Sequence, residues 1–358
     1  MSAASEISAG REFRAVFRSC RIKSNCMSKR VAIVCFQLGG PDSPDAVEPF
    51  LFNLFCDPDI IPLGVLGGLL RKPLARYIAR TRAQKVREHY DAIGGQSPIR
   101  LLTERQARKL EATLAPAMDA KVFVAMRYWN PLTLEAVAVV NAERFDSLVL
   151  LPLYPQYTFA TTLSSLKEWN RLYKPFVPAP EVHLIERFYD HPLYIEAVVD
   201  RIELAFSHFP DPRKAHIVFS AHGLPLSLIE KGDPYQKQIE ETVRLVMEDG
   251  RWPNSHTLCY QSKVGRMKWL QPSLDPTLEA LAKRGEKNLL VVPISFVTEH
   301  IETLHEINIE AREFATKLGF EQFEMMPAVG DSPRFIGALA DLVLRAVGVE
   351  TAHSARVG

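Results

Sequence analysis

Four glutamates stand close together in one stretch, Glu299, Glu302, Glu306 and Glu310. Read as a helix at about 100° per residue, they share a sector of roughly 80°. Ile301, Leu304, Ile307 and Ile309 are spread more widely, so the carboxylates form the sharper stripe. A stripe of this kind is usually a solvated face. Here no Lys or Arg follows any of them four residues on, and like charges at that spacing destabilise a helix. Such a row can accept protons or pass a hard divalent cation along it. The segment is not a zinc-protease helix. His300 and His305 are five apart, about 140° around an α-helix, and do not share a metal as an i, i+4 pair does.

A second chemical group is His222, in Ser220-Ala221-His222-Gly223-Leu224-Pro225. It follows an apolar run and precedes residues that turn the chain. A histidine there can accept a proton or ligate a metal near neutral pH; the alternative is a hydrogen-bonded loop histidine. Arg127, Tyr128 and Trp129 follow another apolar run and suit a flat anionic ligand, the guanidinium on a carboxylate and the rings on the face. The alternative is an arginine paired with a local acid. Leu151 to Tyr157 is rich in aromatics, and Thr161, Thr162, Ser164 and Ser165 after it can cap a helix or hold an anion.

The elements that must position these groups are legible as alternating runs. Val31–Gln37, Val122–Arg127 and Ser147–Leu151 read as strands, followed by a second series: Val182–Ile185, His216–Ser220, Thr257–Gln261 and Asn288–Pro293. Helical stretches such as Ala75–Tyr90, Thr103–Leu114 and Pro192–Phe206 lie between them. The alternation predicts an α/β chain with two doubly wound, mostly parallel sheets and a cleft between them. Ligands bind beyond the carboxyl ends of such strands. The proline-rich Tyr173–Pro180 marks the expected boundary: a leader over 1–28, a first domain over 29–176 and a second over 177–346, whose last helix packs back on the first. No GxGxxG or Walker sequence follows a strand, so a nucleotide cofactor is not indicated.

Composition narrows the partners. A net charge of +1 with 24% charged residues argues against nucleic acid. Cys20, Cys26, Cys35, Cys56 and Cys259 contain no CxxC pair, which fits a reducing compartment. The leader is basic, carrying Arg11, Arg14, Arg18 and Arg21, and lacks an apolar core. It reads as an over-extended frame ahead of Met27 in preference to a transit peptide. Ile60 to Leu70 is apolar and followed by Arg71, Lys72, Arg76, Arg80 and Arg82. It is too short to span a bilayer, and suits either a lipid surface or a buried helix start.

Taken together, the motifs resemble the ferrochelatase family over almost the whole length from about Val31. The matching stretches are Leu38-Gly39-Gly40-Pro41, Ile93 to Ile99, Met126-Arg127-Tyr128, Leu151 to Tyr157, Ser220 to Pro225, Tyr260 to Gly265 and His300 to Leu304. The resemblance implies two Rossmann-like domains with a porphyrin in the cleft, and insertion of Fe2+ into protoporphyrin IX as the final step of haem biosynthesis. It implies His222 as the active-site histidine and Glu302 as its facing carboxylate, with Glu299 and Glu306 in the acidic row beside them that handles protons and metal. It further implies that Arg127, Tyr128 and Tyr157 line the pocket, that Arg82, Lys85 and Ser97 hold propionates, and that Leu38 and Trp269 grip the macrocycle. The stretch after Ile60 matches a membrane-facing lip, so residues 60–80 are expected to meet a lipid surface, with the protein cytoplasmic and peripheral at the inner membrane. No resident cofactor is expected. Some relatives carry an iron–sulfur cluster on late cysteines, and here none follows Cys259. The rival readings are a non-catalytic porphyrin or haem carrier, which needs no acidic row, and a chelatase for coproporphyrin or cobalt.

Overall fold

Runs rich in Val, Ile and Leu form strands, and the amphipathic stretches between them form helices. The computed structural model describes residues 29–58, 60, 67–262 and 267–349; the leader expected over 1–28 lies outside them, as do residues 61–66 of the lip. Strands β1 (Arg30–Gln37), β2 (Asp119–Met126), β3 (Ser147–Pro152) and β4 (Glu181–Leu184) form a parallel sheet in the order β2-β1-β3-β4. Strands β5 (Ala215–His222), β6 (His256–Gln261), β7 (Asn288–Pro293) and β8 (Gln322–Met325) form a second, in the order β6-β5-β7-β8. The order is the same, displaced by four strands. Each half starts at an inner strand, adds one neighbour, then reverses to the other side. The reversal opens a crevice beyond the carboxyl ends of β1 and β3 in one sheet, and of β5 and β7 in the other.

The helices are α1 (Val47–Cys56), α2 (Gly67–Asp91), α3 (Ile99–Leu114), α4 (Thr133–Ala142), α5 (Ser164–Leu172), α6 (Pro192–Phe206), α7 (Leu226–Glu230), α8 (Tyr235–Gly250), α9 (Leu274–Lys283), α10 (Arg312–Lys317) and α11 (Pro333–Ala346). Alternate residues of the inner strands enter different cores, as the two-residue period of a strand requires. Val31, Ile33 and Cys35 of β1 join Ile217, Phe219 and Ala221 of β5 in one buried cluster, filled by Val198, Ile239 and Leu339 from α6, α8 and α11. Ala32, Val34 and Phe36 pack instead against Val137 and Trp169, and Val218 and Val291 against Leu278 and Ala315. Burial on both faces is why these strands read as nearly unbroken apolar runs. The halves thus share a core, and α11 packs on both α3 and α6. Just before α11, Asp331 is held by Arg105 and Lys109 of α3 at 2.9 and 2.8 Å.

Two expectations need correction. Val182–Ile185 was expected to open the second series, with a boundary after residue 176. Instead β4 pairs with β3 from Ser147↔Glu181 to Leu150↔Leu184, so the first sheet extends to Leu184. Prolines interrupt helices because they lack an N–H; those in Tyr173–Pro180 mark the link from α5 to an edge strand, and carry no information about which sheet the next strand joins. The glutamate stretch is also not a plain α-helix: Glu302–Ala311 is wound as a π-helix before α10 continues it.

Candidate active site

His222 is the last residue of β5 and stands at the reversal point of the second sheet. Its N–H donates to Ser295 Oγ at 3.0 Å, and its carbonyl accepts from the Tyr235 hydroxyl at 3.0 Å. Ring Nδ1 lies 2.6 Å from the Gly223 carbonyl, which can only accept, so Nδ1 carries the hydrogen. In the neutral imidazole this leaves Nε2 with its lone pair free, 3.8 Å from Glu302 Oε1. Gly223 has to be a glycine: a Cβ there falls 2.8 Å from the Gln261 carbonyl and 3.4 Å from the Trp269 ring.

Glu302 opens the π-helix that follows β7, and His300 Nε2 lies 3.0 Å from its Oε2. Burial pushes the Glu302 carboxyl up, but the positive charge that His222 carries when protonated, with the hydrogen bond and charge of His300, outweighs it and brings it down to about 2. Glu306 stands about one turn on and accepts a hydrogen bond from Ser262 Oγ. Burial, then the charge of Glu302, push its carboxyl up to about 8 against that hydrogen bond. Two interacting carboxyls are thereby driven apart, Glu302 ionised and Glu306 protonated at neutral pH.

Glu299 behaves differently from the row it was grouped with. Its Oε1 accepts the Ala328 N–H at 2.6 Å and its Oε2 accepts from the Thr303 hydroxyl. Both oxygens are engaged, and they tie the start of the π segment to the loop after β8. Arg127 and Tyr128 converge on Asp57, a fully buried carboxylate just after α1. Its Oδ2 accepts from Arg127 Nη2 at 2.7 Å, from the Tyr128 hydroxyl at 2.7 Å and from Ser164 Oγ at 2.8 Å. The pairing of Arg127 with an acid, left open from the sequence, is what forms. Tyr128 is itself buried, so its hydroxyl serves the Asp57 cluster.

Other expected residues are distributed around this centre. Leu38, just after β1, packs in the same apolar cluster as Tyr128, Trp129 and Ile301, and so reaches the neighbourhood of Glu302 from the first sheet. Trp269 lies against Gly223, and its buried Nε1 has no hydrogen-bond partner. Tyr157 donates its backbone N–H to Gln238 at 2.7 Å and sets its ring edge-on to Phe159. Arg82 and Lys85 are exposed on α2, the Arg82 guanidinium 5.6 Å over the Phe55 ring. Ser97 is buried against Gly40, where a Cβ would come within 2.5 Å of its hydroxyl. Sequence reasoning did not single out Asp57, Tyr235, Ser262 or the partnership of His300 with Glu302. Ser262, His300 and Glu302 lay within matched motifs; Asp57 and Tyr235 did not.

The ferrochelatase family model matches residues 30–347. The chain belongs to the ferrochelatase family. The ferrochelatase of Citrifermentans bemidjiense is 50% identical over 317 residues, covering 88% of this chain and 98% of that one. That of Picosynechococcus sp. is 48% identical over 318 residues, covering 88% of this chain and 82% of its own. Among solved structures, SirB from Bacillus subtilis with Fe3+ superposes with a TM-score of 0.51 at 12% identity, over 92% of this chain and 98% of that chain. A likeness at that identity speaks for the fold alone, the paired parallel sheets of a chelatase.

Proposed function

We propose that the chain inserts Fe2+ into protoporphyrin IX, giving protohaem and releasing two protons. The observation that carries this reading is the His222–Glu302 pair, 3.8 Å apart at the reversal point of the second sheet, with Glu306 behind it. Metallation must strip pyrrole N–H protons while a dication arrives. His222, with Nδ1 held by the Gly223 carbonyl, offers Nε2 as proton acceptor. Glu302 supplies the negative charge that favours both the protonated imidazole and the incoming cation. Glu306, protonated near neutral pH, exchanges protons with its neighbour and opens the route outward. A carrier needs one ligand and gains nothing from this arrangement of carboxyls.

Leu38 and Trp269 grip the macrocycle in this reading, Arg82 and Lys85 meet its carboxylates from α2, and the Asp57 cluster fixes Arg127 and Tyr128 beneath the pocket. Fe2+ is a substrate and no resident cofactor is required. A lipid-facing lip is supported by the start of α2. Leu69 and Tyr77 are 89% and 67% exposed, with Lys72, Arg76 and Arg80 spaced four apart along an adjoining stripe. No helix among the described residues is long and apolar enough to cross a membrane. The exposed apolar and basic start of α2 supports the reading of a cytoplasmic enzyme that rests on the inner membrane.

The test is anaerobic metallation by wild type and His222→Ala, with porphyrin binding followed separately by fluorescence. Turnover should fall at least a thousandfold in the variant, while porphyrin affinity changes by less than about fivefold. Near-normal turnover in His222→Ala would remove the histidine from the mechanism.

A further inference from the structure

We propose that Asp233 is a positioning residue for metallation, setting His222 through Tyr235 while anchored by the first half of the chain, a role that rests on the function proposed above. Asp233 lies between α7 and α8 and is 4% exposed. Its Oδ2 accepts from the Thr158 hydroxyl at 2.7 Å and from the Phe159 N–H at 2.7 Å, both in the segment that follows β3. Its Oδ1 accepts from the Tyr235 N–H at 3.0 Å. One buried carboxylate thus takes donors from both halves, and a carboxylate is the stronger kind of acceptor. Two helices also begin at it. Tyr235 opens α8, and Phe159 opens a short π segment, Phe159–Leu163, that runs on into α5. The amino ends of helices carry partial positive charge, which favours a carboxylate beside them.

His222 is one bond further on. Tyr235 is itself buried, and its hydroxyl donates to the His222 carbonyl at 3.0 Å. The His222 N–H donates to Ser295 Oγ. Both peptide groups of His222 therefore rest on side-chain hydroxyls, and a shift of Tyr235 moves the imidazole whose Nε2 lies 3.8 Å from Glu302 Oε1. A misplacement of about an ångström can cost about a hundredfold in rate. The start of α8 is held to the first half at two further points: Gln238 Oε1 accepts the Tyr157 N–H at 2.7 Å, and Gln156 Nε2 donates to Thr242 Oγ1 at 3.1 Å. Residues 156–159 of the first half and Asp233, Gln238 and Thr242 of the second thus form one buried polar seam that ends at His222. Asparagine is no substitute for Asp233. One of its two terminal atoms is an NH2, which must face a donor, either on the Thr158 and Phe159 side or at Tyr235.

The test compares wild type, Asp233→Asn, Tyr235→Phe and the double variant as full chains. Anaerobic turnover of protoporphyrin IX with Fe2+ gives kcat and KM, and fluorescence gives porphyrin affinity. Each single variant should lower kcat at least tenfold, while KM and porphyrin affinity change by less than about threefold. The double variant should fall no more than about threefold below the slower single one, because both changes cut the same link to His222. Wild-type kcat in either single variant, or a double variant whose loss is the product of the two single losses, would overturn the role of Asp233. If Asp233→Asn does not fold, Thr158→Val takes its place: it removes one donor and keeps the carboxylate. It should lower kcat at least threefold, and wild-type kcat in that chain would overturn the anchoring. Absence of metallation by the wild type would overturn the proposed function and this role together, whereas active variants beside an active wild type overturn the role alone.

Discussion

Glu302 and Glu306 are the same residue type one turn apart, and their surroundings give them opposite protonation. Glu302 faces two imidazoles; Glu306 faces Glu302, the Ser262 hydroxyl and the charge of Glu310. Because the folded chain raises the Glu306 carboxyl to about 8, it keeps a proton that the unfolded chain loses near pH 4.5. Stability therefore falls as pH rises from about 4.5 to 8. Glu306→Gln cannot ionise, so its stability relative to wild type should rise across pH 5 to 8 by at least about 1 kcal/mol, the worth of one pK unit. Urea denaturation at a series of pH values reads this, and a difference that stays flat contradicts the assignment. Asp57 poses the opposite case, a buried carboxylate with three donors converging on one oxygen. Asp57→Ala strands the largely buried Arg127 guanidinium and should cost about 3–5 kcal/mol, seen as a lowered urea midpoint. His222, Glu302 and Glu306 were legible because they lie together in local patterns after apolar runs. Asp57 was not, since its partners lie 70 to 107 residues away in sequence.

At the scale of the element, burial on both faces made the inner strands readable, whereas β4 carried no mark of the sheet it joins. Its short, partly exposed edge pairs with β3 through backbone geometry that side-chain type does not announce. The π winding of Glu302–Ala311 was likewise invisible, because glutamates spaced four apart fit an α-helix equally well. The winding is pinned at its start by Glu299, which bonds the Thr303 hydroxyl and the Ala328 N–H. Glu299→Ala should cost about 1–3 kcal/mol by leaving that N–H without its acceptor, and should slow metallation through displacement of Glu302. At the end of β5 the close approach of Gly223 to the Gln261 carbonyl fixes where His222 points. Gly223→Ala should lower turnover at least tenfold while thermal unfolding stays cooperative; full activity would show that the turn tolerates a Cβ.

Across the whole molecule, one core shared by both sheets holds the two reversal points in a fixed relation. The apolar cluster of Leu38, Tyr128 and Ile301 then links the first crevice to the neighbourhood of Glu302. The strand order repeats between the halves, while His222, Glu302 and Glu306 all come from the second. Outside the core, Leu69 and Leu70 are exposed at the start of α2. If they meet lipid, Leu69→Ser with Leu70→Ser should cut co-sedimentation with anionic vesicles at least threefold without changing the urea midpoint. Positioning of Glu302 for metal insertion by this fold is tested most directly by anaerobic turnover of protoporphyrin IX with Fe2+, followed by porphyrin absorbance, in wild type and Glu302→Gln. Metallation by the wild type that falls at least a hundredfold in the variant, with porphyrin still bound, is the predicted result; tight porphyrin binding with no metallation by either protein would contradict it and indicate a carrier.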